Sequence, residues 1–436
     1  MAQQAPTLFF HLHLARRAGV VAAVSGGGDS LALLFLLKAH IDLHAPHTRL
    51  IAATVDHRLR PASGAEARSV ALLCARHGIA HRILEWEGAK PATGVLAAAR
   101  EARYRLLADA AREAGADLVL TGHTLDDQAE TVAMRQARRD GGEGLSGIAP
   151  ATLFRENVWF CRPLLDRRRQ ALRDWLSRQG IGWIDDPSNE DPAYERVRVR
   201  SRLSGAEIET LARNAGEAGR VREALAGEAG RLIDAFASRP AAGLLRLDPR
   251  LLEGAPDAAL LALRALLALA GGTPHLPDRV RALALAGRLA GPPMRATLSR
   301  AVIDARADAI WIRREARDLP SIALTREPVV WDGRWRLSST AEAGVSVRPG
   351  GRMEEIPGIP RGLLRAAAAA EPGIFIGGEF AGHVVEGVGV SAVPVVAPHE
   401  DYLPSFDLAL SGALRRLLVL PPLPPLPWKH HIDAEA

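Results

Sequence analysis

Apolar and polar positions in roughly the first 190 residues follow two alternating patterns. Short apolar runs predict buried strands at residues 20–24, 50–55, 82–86, 118–121 and 158–161. Longer segments between and after them have helical spacing, at residues 31–39, 65–76, 96–114, 126–138 and 166–179. This alternation predicts an α/β fold with a doubly wound, mainly parallel sheet. Ligands of such sheets bind at the carboxyl ends of the strands.

Polar residues at the predicted helix starts indicate how the helices are capped. Ser63 and Glu66 have the spacing of a capping box, and Asp166 precedes the helix that stops at Gly180. Asp126 stands at the start of another helix, where a carboxylate either caps the helix or favours its positive end.

The pattern changes after about Arg202. Residues 206–238 and 256–289 read as helices, and strand patterns return from about Ile322. We therefore predict three domains: a catalytic α/β domain at 1–205, a helical domain at 206–318 and a small α+β domain at 319–436. The proline-rich stretch 421–427 is expected to be extended.

Composition indicates the cellular compartment and the class of binding partner. No apolar run approaches the length of a membrane span, and Cys74 and Cys161 form neither a C-x-x-C pair nor a zinc motif. These features indicate a cytoplasmic protein with reduced thiols and no membrane partner. The net charge is +5, and nearly all basic residues are arginine, which suits phosphate groups. Charge alone thus makes nucleic acid a candidate partner.

A glycine-rich turn lies between the first predicted strand and the first helix. It reads SGGGDS and consists of Ser25, Gly26, Gly27, Gly28, Asp29 and Ser30. Glycines allow a tight turn with N–H groups facing an anion, and the helix start adds its positive dipole end. The two serines offer hydroxyls to phosphate oxygens. A carboxylate repels phosphate unless a cation lies between them, so Asp29 suggests Mg²⁺.

The turn lacks the spacing of a Walker motif or of the dinucleotide fingerprint. It resembles the pyrophosphatase loop of the N-type ATP pyrophosphatases (adenine nucleotide alpha hydrolase-like proteins), which split ATP between its α and β phosphates. Further strings follow in a fixed order along the chain: VDHRLR (55–60), AREARY (99–104), GHTLDDQAET (122–131), GLSGI (144–148), RPLL (162–165) and DPSN (186–189). Together they closely resemble tRNA(Ile)-lysidine synthases over about residues 18–205.

The resemblance implies a reaction and its participants. ATP and Mg²⁺ adenylate the 2-carbonyl of the wobble cytidine in an isoleucine tRNA with a CAU anticodon. The ε-amine of free L-lysine then displaces AMP. No protein partner is evident from the sequence, and a homodimer stays open.

The resemblance also implies roles for individual residues. The loop at 25–30 would bind ATP, and Val55 and Asp56 at the end of the second strand would join it. Asp127 and Glu130 would serve the magnesium or lysine region, with Asp29 as a further metal ligand. Arg100 and Arg103 would lie near the anticodon base or the triphosphate.

Two questions of chemistry stay open at this stage. Lysine has a reference pKa of about 10.4, so a group must help to deprotonate it, and His57, His123 and Asp127 are candidates. Arg196, Arg198, Arg200 and Arg202 form two i,i+4 pairs on adjacent faces if helical, and we expect them to contact tRNA phosphates. The direct catalytic set is expected to be Asp29, Arg100, His123 and Asp127.

Two alternatives are weighed against this function. A tRNA thiolase with the same loop needs a reactive cysteine or an iron–sulfur cluster, and Cys74 and Cys161 lack the spacing for either. A catalytically inactive tRNA-binding relative is disfavoured because the residues expected in the site are intact: Ser25, Asp29, Ser30, Asp127 and Glu130.

Overall fold

The structure is a computed structural model that describes residues 8–138, 142–185, 191–340, 344–351, 355–382 and 389–427. Contacts divide the chain into two compact units. The first contains the described residues through Arg222 together with Asp401–Phe406 and the segment from Pro424, and the second contains Glu223–Glu400 and Asp407–Leu423. The three-domain division at 205 and 318 stays a prediction. None of the helices in the described ranges is both long enough and apolar enough to span a membrane.

The first unit alternates strands and helices, as predicted. Its strands are β1 (Gly19–Ala23), β2 (Arg49–Asp56), β3 (Ala80–Glu85), β4 (Leu118–Thr121), β5 (Ala151–Phe154) and β6 (Val158–Cys161), and Tyr402–Pro404 adds β19. Its helices are α1 (Gly28–His44), α2 (Ser63–Arg76), α3 (Val95–Glu113), α4 (Leu125–Ala137), α5 (Arg169–Arg178) and α6 (Glu195–Arg200). Helix α7 (Gly205–Phe236) continues into the second unit.

The strands form one seven-stranded sheet in the order β19-β5-β6-β4-β1-β2-β3. Strands β6, β4, β1, β2 and β3 are parallel, whereas β5 and β19 pair antiparallel at one edge. The mainly parallel, doubly wound sheet is thus confirmed. The chain runs from β1 outward to β3 and then returns to the other side of β1 with β4, so the strand order reverses between β1 and β4. A ligand crevice opens at the carboxyl ends of strands at such a reversal.

Apolar side chains on both faces explain why these strands are central. Val21 of β1 and Val119 of β4 are fully buried, and α3 covers them with Leu107 and Ala111. Burial of this apolar surface contributes about 25 cal/mol per Å² and is the main force holding the strand ends in place.

Two predicted caps are wrong. The hydroxyl of Ser63 does not cap α2, because Ser63 is already helical and donates to Asp56 Oδ1 at 2.6 Å. Asp166 does not cap α5, which begins only at Arg169. The carboxylate of Asp126 accepts the backbone N–H of Arg169 at 2.8 Å, so Asp126 caps the start of α5 while its charge lies in the first turn of its own helix. Tertiary contact decided both cases.

The second unit contains the predicted helices together with strands that the sequence pattern did not indicate. Its helices are α8 (Pro256–Gly271), α9 (Arg279–Leu289), α10 (Arg361–Ala368) and α11 (Leu408–Leu417). Strands β7 (Ala237–Ala241), β8 (Leu244–Leu247), β9 (Met294–Leu298), β10 (Ala301–Ala305) and β11 (Ile310–Arg314) form a five-stranded sheet. The region predicted as helical is therefore mixed, because these short strands carry no marked alternation.

Strands return after Ile322 as predicted. They are β12 (Ile322–Ala323), β13 (Val329–Trp331), β14 (Trp335–Ser339), β15 (Val345–Pro349), β16 (Pro372–Ile376), β17 (Glu379–Gly382) and β18 (Val390–Pro394). The string WDGRW forms the hairpin turn between β13 and β14: Trp331 pairs with Trp335, and Asp332 and Gly333 have φ of 53° and 67°. Its tryptophan and aspartate thus have structural positions, since Trp331 is fully buried and Asp332 is nearly so.

Candidate active site

The glycine-rich turn leads directly from β1 into α1. Gly26 has φ of 89°, which favours glycine, and Gly27 is the residue before the helix. The loop is held by its own serines: Ser30 Oγ donates to the carbonyl of Gly27 at 2.9 Å, and it lies 3.2 Å from Ser25 Oγ. The first N–H groups of a helix have no partner within it, so the start of α1 offers donors to an anion.

The loop after β4 lies against this turn, as the strand reversal requires. A Cβ at Gly122 would lie only 2.8 Å from the carbonyl oxygen of Asp29, so glycine is needed for this close approach. The next residues begin α4 with a capping box. Asp127 Oδ2 accepts from the backbone N–H and the hydroxyl of Thr124, both at 2.8 Å. The cap therefore holds Asp127 with its other oxygen directed away from Thr124.

Asp29, Asp127 and Glu130 converge on one arginine that the sequence motifs did not single out. Arg169 donates from Nε to Asp29 at 3.0 Å, from Nη2 to Asp127 at 3.0 Å and from Nη1 to Glu130 at 3.1 Å. The sequence does contain a signal for this residue, since Arg169 ends a run of three arginines shortly after the RPLL string. The three predicted metal ligands thus share one neighbourhood.

The two aspartates of this cluster have pKa values shifted in opposite directions. Burial raises the pKa of Asp29 to about 6, although the guanidinium of Arg169 opposes this rise. Burial would also raise the pKa of Asp127, but Arg169, His123 and the bonds from Thr124 lower it below its usual value. Asp29 Oδ1 is buried and has no hydrogen-bond partner among the described residues.

These observations bear on the expected magnesium ion. Carboxylate oxygens suit Mg²⁺, and the unpartnered Asp29 Oδ1 is available as a ligand. Within the described ranges, however, no three or more His, Cys, Asp or Glu side chains are arranged to hold a metal ion. The guanidinium of Arg169 lies among the carboxylates instead. The donor set therefore fits the ion in chemistry, while the space between the donors is taken by a side chain.

The predicted arginine run divides into two faces of α6. Arg200 donates to Glu130 at 2.7 Å, and Arg196 lies 3.5 Å from the same carboxylate. Arg198 is exposed and donates to the carbonyls of Pro192 and Ala193, while Arg202 is exposed just after the helix. The expected i,i+4 pairing is thus seen for Arg196 and Arg200, which face the active site. The DPSN string at 186–189 lies outside the described residues.

Arg100 and Arg103 lie in a cationic cluster with Arg162, to which the sequence motifs assigned no role. Arg162 is buried and donates to Tyr104 Oη at 2.9 Å, while Arg100 donates to the same oxygen at 3.3 Å. Burial lowers the pKa of Arg103, and Arg100 and Arg162 lower it further. Among the described residues this cluster contains no carboxylate hydrogen bond, so it is suited to an anionic ligand.

His123 and His57 border the same cluster. Burial lowers the pKa of His123 to about 3, with help from Arg162, and His123 Nδ1 lies 2.9 Å from Thr121 Oγ1. Burial and Arg103 also lower the pKa of His57. Both imidazoles are therefore neutral at pH 7.

Val55 and Asp56 lie at the carboxyl end of β2, next to β1. Burial would raise the pKa of Asp56, but hydrogen bonds from Ser63 and from the Arg58 N–H outweigh it and lower that pKa. Asp56 Oδ1 accepts both of these bonds, so this oxygen is used to hold the loop after β2. Asp56 is thus near the expected nucleotide but is already engaged in structure.

One wall of the loop comes from a segment that no sequence motif indicated. Ile184 donates its N–H to the carbonyl of Gly26 at 2.9 Å. A Cβ at Gly26 would meet Ile184 and Val70 at 3.0 Å, and one at Gly28 would meet Arg173 at 3.2 Å. The glycines are therefore also needed for packing on this side. Ser25 is exposed and Gly27 is half-buried, so the loop is not closed over.

Comparison with known proteins agrees with this geometry. A family model described as a PP-loop domain matches residues 3–207. The chain is 48% identical to the tRNA(Ile)-lysidine synthase of Mesorhizobium japonicum, with 97% of each chain covered, and 42% identical to that of Brucella ovis, with 80% of each covered. A solved U34-tRNA thiolase, NcsA from Methanococcus maripaludis, overlaps with a TM-score of 0.42 at 18% identity over 50% of this chain and 78% of its own. That overlap is too low to support an argument. The match along nearly the whole chain shows that it belongs to the tRNA(Ile)-lysidine synthase family.

Proposed function

We propose that this chain attaches free L-lysine to the wobble cytidine of an isoleucine tRNA with a CAU anticodon. The cytidine 2-carbonyl oxygen attacks the α-phosphate of ATP, so that pyrophosphate leaves and an adenylate forms. The ε-amine of lysine then attacks C2, the bond to the oxygen breaks, and AMP leaves. The observation that carries this proposal is the meeting of the glycine loop with Asp29, Asp127 and Glu130 at the strand reversal.

The phosphates of ATP are assigned to the loop and the start of α1. Ser25 and Ser30 are the hydroxyl donors, and Val55 and Asp56 line the side toward β2. Asp29, Asp127 and Glu130 would hold Mg²⁺, which when bound neutralises phosphate charge. Arg100 and Arg103 are assigned to the anticodon base or the triphosphate, because their cluster has no bonded carboxylate to offset its charge.

Lysine is assigned to the same region. Its ammonium needs carboxylate neighbours, and Asp127 and Glu130 are buried carboxylates in this part of the site. Among the three groups considered for taking its proton, His123 is now disfavoured. A group with a pKa of about 3 is too weak a base for an ammonium whose reference pKa is about 10.4. We assign His123 as a neutral hydrogen-bond partner. The same argument disfavours Asp127, whose pKa is lowered below its usual value, so we leave the proton transfer to His57.

The thiolase alternative has no observation in its favour. Burial raises the pKa of Cys74 to about 11 and that of Cys161 to about 12, so neither is a reactive thiol. An inactive relative is also disfavoured, since the loop serines and all three carboxylates are present together at the strand reversal.

The decisive assay contains purified protein, Mg²⁺, ATP, labelled lysine and an isoleucine tRNA transcript with a CAU anticodon. We expect label in the tRNA and one AMP released for each lysine incorporated. A transcript with uridine in place of the wobble cytidine should take up no label. Incorporation without ATP, or thiolation of tRNA in a sulfur-supplied reaction without lysine uptake, would contradict the proposal.

A single substitution tests the loop. Asp29→Ala is expected to abolish AMP formation, because it removes the carboxylate with the free oxygen, while tRNA binding stays largely intact. The matched control is Asp42→Ala, which removes an exposed carboxylate near the other end of α1 that pairs with Lys38. An Asp29→Ala enzyme with normal AMP release would remove the basis for the loop's assigned role.

A further inference from the structure

Arg169 has an unusual position for a buried arginine. Each of its three guanidinium nitrogens donates to a different carboxylate, at 3.0–3.1 Å, and these are the three carboxylates assigned to the metal. A planar guanidinium among three acids makes three charge-assisted hydrogen bonds here, one from each nitrogen. Mg²⁺ needs oxygens at about 2.0–2.1 Å, so the ion and the guanidinium cannot share this space.

The main chain of Arg169 is fixed independently of its side chain. Its N–H donates to Asp126 Oδ2 at 2.8 Å, and the neighbouring Arg168 also reaches Asp126, at 3.3 Å from Nε. The start of α5 is thereby attached to α4. The guanidinium can leave the carboxylates by rotation about side-chain bonds, and α5 need not move.

The carboxylates differ in what they retain when the guanidinium is withdrawn. Asp127 stays bonded to Thr124 through Oδ2, and Glu130 stays bonded to Arg200 at 2.7 Å. The carboxylate of Asp29 is bonded to Arg169 through Oδ2, and its Oδ1 has no partner among the described residues. The group that loses most on withdrawal is therefore the loop aspartate.

We propose that Arg169 is a resident counter-ion: its guanidinium bridges the three carboxylates and offsets part of their charge in the metal-free protein, and turns to the phosphates when Mg²⁺ enters with ATP. This inference rests on the proposed function for the identity of the nucleotide. The guanidinium starts beside Asp29, in the first turn of α1, so the phosphates assigned to that turn are its nearest new anions. Without nucleotide, a metal ion has to displace the guanidinium of Arg169 and supplies no phosphate for it to bind.

The arrangement predicts a coupling between metal and nucleotide. Coupling is reciprocal, so each ligand should strengthen the other by the same factor. Metal binding without nucleotide should be weak in the natural protein. Removing the guanidinium should strengthen it, whereas a side chain with a merely structural role would leave metal affinity unchanged or reduce it when removed.

The test uses Mn²⁺ as the probe, with free Mn²⁺ counted by electron paramagnetic resonance and no tRNA or lysine present. We expect Arg169→Ala to bind Mn²⁺ at least about tenfold more tightly than the natural protein, and Arg169→Gln to behave similarly. Arg169→Lys, which keeps the charge but cannot reach three carboxylates at once, should fall between them. Arg168→Ala is the matched control. It removes the same charge one residue away, and the Arg168 side chain contacts Asp126 rather than the three carboxylates.

A second arm adds an ATP analogue with a methylene group between the α and β phosphates. In the natural protein it should raise Mn²⁺ affinity more than tenfold, and in Arg169→Ala the increase should be clearly smaller. Folded variants with unchanged or weaker Mn²⁺ binding would overturn the inference, as would a natural protein in which the analogue has no effect. The second result needs no variant, so an absent effect would overturn the inference even if the substitutions fail to fold. Failed lysine incorporation with intact coupling would count against the proposed function only.

Discussion

At the scale of single residues, the site depends on groups whose chemistry is set by burial. Asp127 serves both as the N3 residue of the α4 cap and as a partner of Arg169. Asp126, one position earlier in the chain, binds the start of α5 instead. Neighbouring aspartates thus contact different parts of Arg169, its guanidinium and its main chain, because successive residues of a helix lie about 100° apart around its axis.

The burial of the two cysteine thiols leads to a prediction about their reactivity. Their pKa values are raised to about 11 for Cys74 and about 12 for Cys161, so less than about one thiol in a hundred is ionised at pH 8. We expect no alkylation of the folded protein by iodoacetamide at pH 8, and modification of both cysteines in denaturant, as measured by intact mass. Labelling should increase only as the pH approaches 11. Rapid labelling of one cysteine in the folded protein would bring back the thiolase alternative.

At the scale of elements, α6 shows how spacing divides an arginine run between two tasks. Arg196 and Arg200 are one turn apart and contact Glu130, while Arg198 and Arg202 are exposed. The sequence indicates the two faces through the i,i+4 spacing alone. It does not indicate which face meets the active site, because Glu130 is on a different helix.

This division can be tested by tRNA binding. The double substitution Arg198→Ala and Arg202→Ala should weaken tRNA binding, and should lower the salt slope of log K by roughly 0.7–0.9 for each phosphate that these arginines neutralise. Filter binding at several salt concentrations measures both quantities. Arg196→Ala with Arg200→Ala should mainly reduce lysine incorporation, since it leaves the buried Glu130 with fewer partners. An unchanged slope in the Arg198 and Arg202 variant would show that these arginines do not bind phosphates.

At the scale of the whole molecule, the catalytic unit is completed by a strand from far along the chain. Strand β19 pairs with β5 at the sheet edge, and Tyr402 packs on Tyr104 and Phe154 with ring centroids 5.0 and 5.3 Å apart. Tyr104 in turn accepts hydrogen bonds from Arg100 and Arg162. The edge strand therefore supports the residue that positions the cationic cluster.

We expect Leu403→Ala, in the middle of β19, to destabilise the first unit by about 2–5 kcal/mol, because Leu403 is only 2% exposed. Hydrogen exchange followed by mass spectrometry should show reduced protection in β5, which pairs with β19 although it lies far earlier in the chain. Leu43→Ala is the control, since Leu43 is 67% exposed and its removal should cost less than about 0.5 kcal/mol. Unchanged exchange in β5 would mean that β19 does not stabilise that edge.

Local pattern was enough for the parallel strands of the central sheet, for the loop and for the family, but it did not indicate β5. Apolar runs such as β1 and β4 predict buried strands because they are short and bounded by turns and helical patterns, and a glycine turn between strand and helix presents the same donors wherever it occurs. Contacts between distant segments could not be predicted from the sequence. They are Arg169 among the carboxylates, Asp126 at the start of α5, Ile184 against Gly26 and β19 beside β5. Each joins residues whose separation along the chain carries no periodic signal, so only packing in three dimensions selects the partner.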